Sequence, residues 1–177
     1  TLYADYANVV PLRDHLAATD AVICAIGSGT LNDICKLASG ELGRGYLVVG
    51  TAASQDGYAA FGASITRAGF KITRTCPAPT AIVADLDIMA AAPVRLTATG
   101  YGDIIEKVPA GADWVIADEL GIEPIDADVW NLVQPPLRGA ISDPAGLAAR
   151  EVGAIGRLAE GLIMSGLAMP AHQSSRP

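Results

Sequence analysis

Three short groups of residues in this chain have the types and spacing to do chemistry. The first is Gly27-Ser28-Gly29-Thr30, set between the apolar run Ala21-Val22-Ile23-Cys24-Ala25-Ile26 and Leu31-Asn32-Asp33-Ile34-Cys35-Lys36-Leu37. A strand that ends in a tight glycine turn and opens a helix presents free backbone N–H groups and the positive end of the helix dipole. Glycine also lets an anion come close to the backbone. The chemistry predicted is a grip on the pyrophosphate of a dinucleotide. The alternative is a plain strand-to-helix turn. Asn32 stands where the usual fingerprint has its last glycine, and no acidic residue lies near position 49 to take a ribose hydroxyl.

The second group is Thr51-Ala52-Ala53-Ser54-Gln55-Asp56-Gly57, delivered by the β-rich run Tyr46-Leu47-Val48-Val49-Gly50. Ligands bind at the carboxyl ends of parallel strands, so the Thr51 and Ser54 hydroxyls are placed to reach a cofactor ribose or nicotinamide amide. Asp56 is placed to accept from a substrate hydroxyl. Against this stands a polar turn in which Ser54 or Asp56 caps a helix starting near Gly57. The third group is Gly100-Tyr101-Gly102-Asp103, inside a helical pattern. Two glycines there cost roughly 1 kcal/mol each relative to alanine, a cost tolerated where something must approach closely. The Asp103 carboxylate could ligate a divalent metal, or it could pair with Lys107 at i,i+4 on a solvated face.

His15 and His172 are the two histidines of the chain. Together with Asp103 they do not make a convincing set of three protein ligands for a metal. Lys36, one turn beyond Asn32 and Asp33, is read either as a phosphate contact or as a solvated surface lysine.

These groups need a scaffold. The 177 residues suffice for one good-sized domain or two small ones, and their 51% apolar and 5% aromatic content predicts an aliphatic core. Strands are predicted at 21–26, buried on both faces, at 46–50 and at 80–85, with a short extra strand at 70–74. Helices are predicted at 2–18, interrupted by Pro11, at 31–39 and at 58–67. Strand–helix alternation implies right-handed βαβ units and a parallel sheet. Beyond Asp87 the pattern is helical: 93–108 stopped by Pro109, 112–120, 128–137 broken by Pro135-Pro136, and a long stripe over 147–169. The fold class expected is α/β, a Rossmann-like parallel sheet followed by an all-helical domain. Residues 1–89 form part of the dinucleotide-binding half and residues 90–177 part of a metal- and substrate-binding half.

A formal charge of −7 without a basic cluster argues against nucleic acid as a partner. The apolar stretch 161–171 is too short to span a bilayer. Cys24, Cys35 and Cys76 are odd in number and irregular in spacing, which fits buried thiols in a reducing cytoplasm.

Taken together, Ala25-Ile26-Gly27-Ser28-Gly29-Thr30-Leu31-Asn32-Asp33-Ile34-Cys35-Lys36 and Thr51-Ala52-Ala53-Ser54-Gln55-Asp56-Gly57-Tyr58 resemble the sn-glycerol-1-phosphate dehydrogenase family. That family sits in the superfamily of iron-containing alcohol dehydrogenases, glycerol dehydrogenase and dehydroquinate synthase. The resemblance continues through Ala91-Ala92-Pro93-Val94-Arg95, Gly100-Tyr101-Gly102-Asp103 and Ala112-Asp113-Trp114. It ends with Ala159-Glu160-Gly161-Leu162-Ile163-Met164-Ser165-Gly166-Leu167-Ala168-Met169 and Ser174-Ser175-Arg176-Pro177. It implies a dehydroquinate synthase-like architecture and NAD(P)-dependent, metal-dependent interconversion of dihydroxyacetone phosphate and sn-glycerol 1-phosphate, a step of phospholipid biosynthesis.

By the same resemblance Gly27, Ser28, Gly29 and Thr30 hold NAD or NADP, and Thr51 and Ser54 lie near its nicotinamide. Asp56 binds substrate, and Asp103 is one ligand of a catalytic zinc, iron or nickel. Ala60 stands where the family carries a hydroxyl. The two metal-binding histidines of the family fall beyond Pro177, and its first strand–helix unit falls before Leu2. The chain is therefore expected to be an internal piece of a longer protein, a poor metal binder alone and a possible homo-oligomer when whole. Glycerol or another small polyol remains an alternative substrate, and a non-catalytic nucleotide-binding remnant an alternative role.

Overall fold

The computed structural model describes residues 2–172. Asp5 caps the first helix, α1 (Tyr6–Ala17), by accepting from the Ala7 N–H, and Pro11 lies inside it without ending it. Buried Val9 and Leu16 anchor that helix, so tertiary packing outweighs the proline. The expected strand–turn–helix unit follows as β1 (Ile23–Gly27) and α2 (Gly29–Glu41), and then β2 (Tyr46–Gly50).

After β2 the chain departs from expectation. A helix predicted over 58–67 is instead a single 3₁₀ turn, Asp56–Tyr58, and a hairpin of β3 (Ala63–Arg67) and β4 (Phe70–Arg74). Ala63 and Ile65 are buried while Ser64 and Thr66, alternating with them, are partly exposed, a period of two that the β-branched residues support. Ala68 and Gly69 both take positive φ, 51° and 82°, the requirement of a two-residue hairpin turn.

The next strand, β5 (Ala81–Ala84), pairs parallel with β2, which pairs parallel with β1, giving the order β1-β2-β5. The hairpin, rather than a helix, connects β2 to β5. Helix α2 covers one face of this sheet, packing Cys35 over Ala25, Tyr46 and Val48, while its Ile34 and Leu37 pack with Val9 and Leu16 of α1 and Ile65 of the hairpin. The other face is open: Ile26 is 62% exposed and Val83 54%. The first strand is thus buried on one face and not on both.

Six helices follow β5 among the described residues: α3 (Leu86–Ala91), α4 (Val94–Ile105), α5 (Lys107–Glu119), α6 (Ala127–Ile141), α7 (Pro144–Ala149) and α8 (Val152–His172). Pro109 does not stop a helix; it sits in the first turn of α5, where a missing N–H is tolerated. Having no N–H to give the Ile105 carbonyl, it marks the break between α4 and α5. Pro135 and Pro136 lie within α6, which is held by Val129, Val133, Leu137 and Ala140 on its buried side. The long stripe divides at Arg150, whose φ of 58° ends α7.

Helix α8 packs against α6, α4, α3 and the 3₁₀ turn. Its segment Val152–Met169 is long and apolar enough to cross a membrane by length and composition, more than 161–171 suggested, and half of it is buried within the fold. Ala53, from the loop after β2, joins Ile104, Leu158 and Leu162 in one core cluster. That cluster ties the sheet to the helices directly beneath the site.

Candidate functional site

The carboxyl ends of β1 and β2 lie side by side, with Gly27 paired to Gly50. The Thr51 N–H donates to the Gly27 carbonyl at 3.0 Å and so holds the two loops together. Helix α2 starts at Gly29 with Ser28 as its N-cap, and Ser28 makes no side-chain cap bond. Neither Thr30 nor Asn32 caps it. Gln55 lies against this helix start, and a Cβ added at Gly29 would overlap its carboxamide.

The Gln55 Nε2 is buried and has no hydrogen-bond partner. A cavity of about 210 Å³ adjoins it, lined by Gly29, Thr30, Asp33, Gln55, Thr66 and Lys71. An orphaned N–H donor, an uncapped helix start and a lysine around one cavity fit an anion such as a phosphate. A pyrophosphate is the part of a dinucleotide that such a helix start would hold.

Asn32 and Lys36 serve a different purpose from either sequence reading. Both are buried. The Lys36 Nζ donates to the carbonyls of Gly57, Ala60 and Gly62 at 2.6, 2.7 and 3.2 Å. Asn32 donates to the Gly57 carbonyl at 3.2 Å and accepts from the Tyr46 hydroxyl at 2.9 Å. Together they staple α2 to the loop that carries Asp56. Asn32 thus has a packing and hydrogen-bonding role at the fingerprint's glycine position, and Ala60 contributes its backbone carbonyl to the same staple. Burial lowers the Lys36 pKa and Asp33 opposes the shift; burial raises the Asp33 pKa to about 6, with Lys36 pulling it back.

Ser54 and Asp56 are not helix caps, since the 3₁₀ turn has Gln55 as its N-cap and no side-chain cap bond. Ser54 interacts with the Tyr58 hydroxyl, which donates to the Ala52 carbonyl at 2.9 Å. Thr51 and Ser54 are both half-buried at the strand end.

The Asp56 N–H donates to Asp103 Oδ2 at 2.6 Å, and Asp56 Oδ2 lies 2.8 Å from the Lys107 Nζ. The i,i+4 pair of Asp103 with Lys107 is thus not formed. The helix break at Glu106 takes Lys107 off the face of Asp103, and Lys107 is buried against the sheet side instead. Burial first, and the Asp56 carboxylate second, raise the Asp103 pKa to about 6. Of the two helix glycines, Gly100 meets the backbone carbonyl of Ala53, whereas Gly102 faces open space.

The structure therefore sets Thr51 beside Gly27, Gln55 against Gly29, and the next residue, Asp56, against Asp103. Reading the sequence missed Gln55, Lys71 and Lys107; a break signalled by Pro109 was the available clue to the last. Among the described residues no group of three or more His, Cys, Asp or Glu could hold a metal ion. Asp103 alone does not make a metal site. The side chain of His172 and the Ser174-Ser175-Arg176-Pro177 motif lie outside what is described.

The profile of the iron-containing alcohol dehydrogenase family matches residues 2–93, more than half of the chain. The chain belongs to the iron-containing alcohol dehydrogenase family. Among its relatives, the glycerol-1-phosphate dehydrogenase [NAD(P)+] of Halalkalibacterium halodurans is 36% identical over 177 residues, covering 100% of this chain and 44% of that protein. The protein of the same description from Archaeoglobus fulgidus is 34% identical over 171 residues, covering 97% and 48%. The chain thus spans a little under half the length of these relatives.

Among solved structures of like fold, a probable glycerol dehydrogenase from Sinorhizobium meliloti superposes with a TM-score of 0.80 at 20% identity, over 94% of this chain and 51% of that one. The sulfoacetaldehyde reductase of Bifidobacterium kashiwanohense, solved with NAD+, superposes with a TM-score of 0.76 at 15% identity, over 93% and 48%. The iron-containing alcohol dehydrogenase fold, a parallel sheet followed by helices, is therefore shared well beyond close sequence likeness.

Proposed function

We propose that this chain forms the cofactor-gripping and substrate-orienting part of an oxidoreductase. The reaction of the whole protein would be hydride transfer between NAD(P)H and dihydroxyacetone phosphate, with sn-glycerol 1-phosphate as product. The observation that carries the reading is the junction at Gln55-Asp56. One residue leans on the glycine turn and the next is bonded to the helical-side carboxylate of Asp103. The relatives named glycerol-1-phosphate dehydrogenase, alike over the whole chain, supply the substrate class.

In this reading the backbone of Gly27, Ser28, Gly29 and Thr30 holds the pyrophosphate, with Gln55 Nε2 as an added donor. Thr51 and Ser54 offer hydroxyls to the nicotinamide half. The nicotinamide, when bound, supplies the hydride. Asp56, its carboxylate fixed by Lys107, accepts from a substrate hydroxyl and sets the carbon skeleton against the cofactor.

Asp103 would be one ligand of a divalent zinc, iron or nickel ion. Its remaining ligands would come from outside the described residues. The division into residues 1–89 and 90–177 belongs to the same proposal, as does a cytoplasmic location, which three free cysteines support. The test is Asp103→Asn in the whole protein. Metal-stimulated oxidation of NADH by dihydroxyacetone phosphate should vanish, and turnover at the wild-type rate would contradict the assignment.

A further inference from the structure

We infer that Lys107 is a positioning residue of the site, acting through Asp56; the inference rests on the substrate-orienting role proposed for that aspartate. The ammonium is 5% exposed as a residue and lies 2.8 Å from Asp56 Oδ2. A lysine buried this deeply needs a partner, and breaking such a pair leaves an uncompensated charge. Glu106 is the other nearby carboxylate, at 3.9 Å with a largely exposed side chain, and is too distant for a hydrogen bond. Asp56 is thus the group that holds Lys107, and Lys107 the group that holds Asp56.

The rest of the surroundings fix the aspartate from other sides. Its N–H donates to Asp103, and the Ser165 hydroxyl approaches Asp56 Oδ2 at 3.5 Å, the same oxygen that Lys107 holds. A Cβ added at Gly166 would overlap the Asp56 carbonyl, so α8 lies directly on this backbone. With Oδ2 taken by the ammonium, Oδ1 is the oxygen left to receive a substrate hydroxyl. An aspartate held by one oxygen presents the other in a fixed direction. The turn at Glu106, marked by Pro109, brings the first residue of α5 back against the sheet side.

The test uses the whole protein with Lys107→Met, Lys107→Arg, Asp56→Asn and the double variant Asp56→Asn/Lys107→Met. Three readouts are taken: kcat and KM with dihydroxyacetone phosphate, NADH affinity by fluorescence, and hydrogen exchange at the Asp56 amide. Lys107→Met should lower kcat/KM about a hundredfold while NADH affinity stays within about threefold. Lys107→Arg should recover most of that loss. The double variant should be no worse than Asp56→Asn alone, because the two residues act as one unit.

Exchange at the Asp56 amide should speed up in Lys107→Met whether or not the wild type turns over. An inactive wild type would refute the functional reading and leave exchange to judge the inference. Wild-type kcat/KM in Lys107→Met, losses that add in the double variant, or unchanged exchange would overturn it. If Lys107→Met does not fold, the arginine and double variants decide by the same criteria.

Discussion

The backbone N–H of Asp56 and the carboxylate of Asp103, 47 residues apart, meet at 2.6 Å. One belongs to the loop after β2 and the other to α4, so the bond ties a sheet loop to the helices. It rests on close backbone packing, since Gly100, one helical turn before Asp103, sits against the Ala53 carbonyl.

That packing makes Gly100 a sensitive position. Gly100→Ala would drive a methyl group into backbone that has no rotamer to change, unlike a clash with a flexible side chain. A loss of about 1–3 kcal/mol is expected. The melting temperature should fall by a few degrees to about ten. Gly102→Ala, facing open space, should be neutral or slightly stabilising. Thermal melts of the two variants side by side check this directly.

Lys36→Met removes a cation that three carbonyls share. Those oxygens would be left buried with fewer donors, at a cost of about 2–4 kcal/mol. The opening should be local first. Limited proteolysis or hydrogen exchange should show residues 57–62 exposed before the sheet is, and uniform loosening would argue against a staple.

Asp33 gives a pH dependence with a definite sign. Its folded pKa stands at about 6 against an ordinary 3.8, so between these values the folded state binds more protons than the unfolded. Stability attributable to this group therefore falls as pH rises through that window, and the deficit persists above it. Asp33→Asn should remove the deficit. Its stability advantage over the wild type should grow by about 1 kcal/mol from pH 5 to pH 8, read from denaturant melts. A flat difference would mean that burial does not perturb this carboxyl.

Much of the site was legible because strand ends and glycine turns are local signals. The run 46–50, the turn at 27–30 and the Thr51–Asp56 loop fell where periodicity placed them. What was not legible depends on partners distant in sequence. Ser64-Ile65-Thr66 looked helical by neighbourhood but is a strand because Ile65 packs against α1 and α2 and the segment pairs with residues 70–74. Lys36 and Lys107 looked solvated because nothing in a helical period announces three carbonyls or an aspartate arriving from another loop. Pro109 and Pro135-Pro136 looked like helix ends; burial against neighbouring helices carries the chain through or just past them.

In the proposed function, the groups around Asp56 and Asp103 orient a phosphorylated three-carbon ketone for hydride transfer. The most direct measurement compares kcat/KM of the whole, metal-loaded protein for dihydroxyacetone phosphate and for dihydroxyacetone, with NADH and with NADPH. The phosphate ester should be preferred by at least about a hundredfold, with sn-glycerol 1-phosphate as the product. Equal rates for the two ketones, or a preference for the unphosphorylated one, would contradict the account.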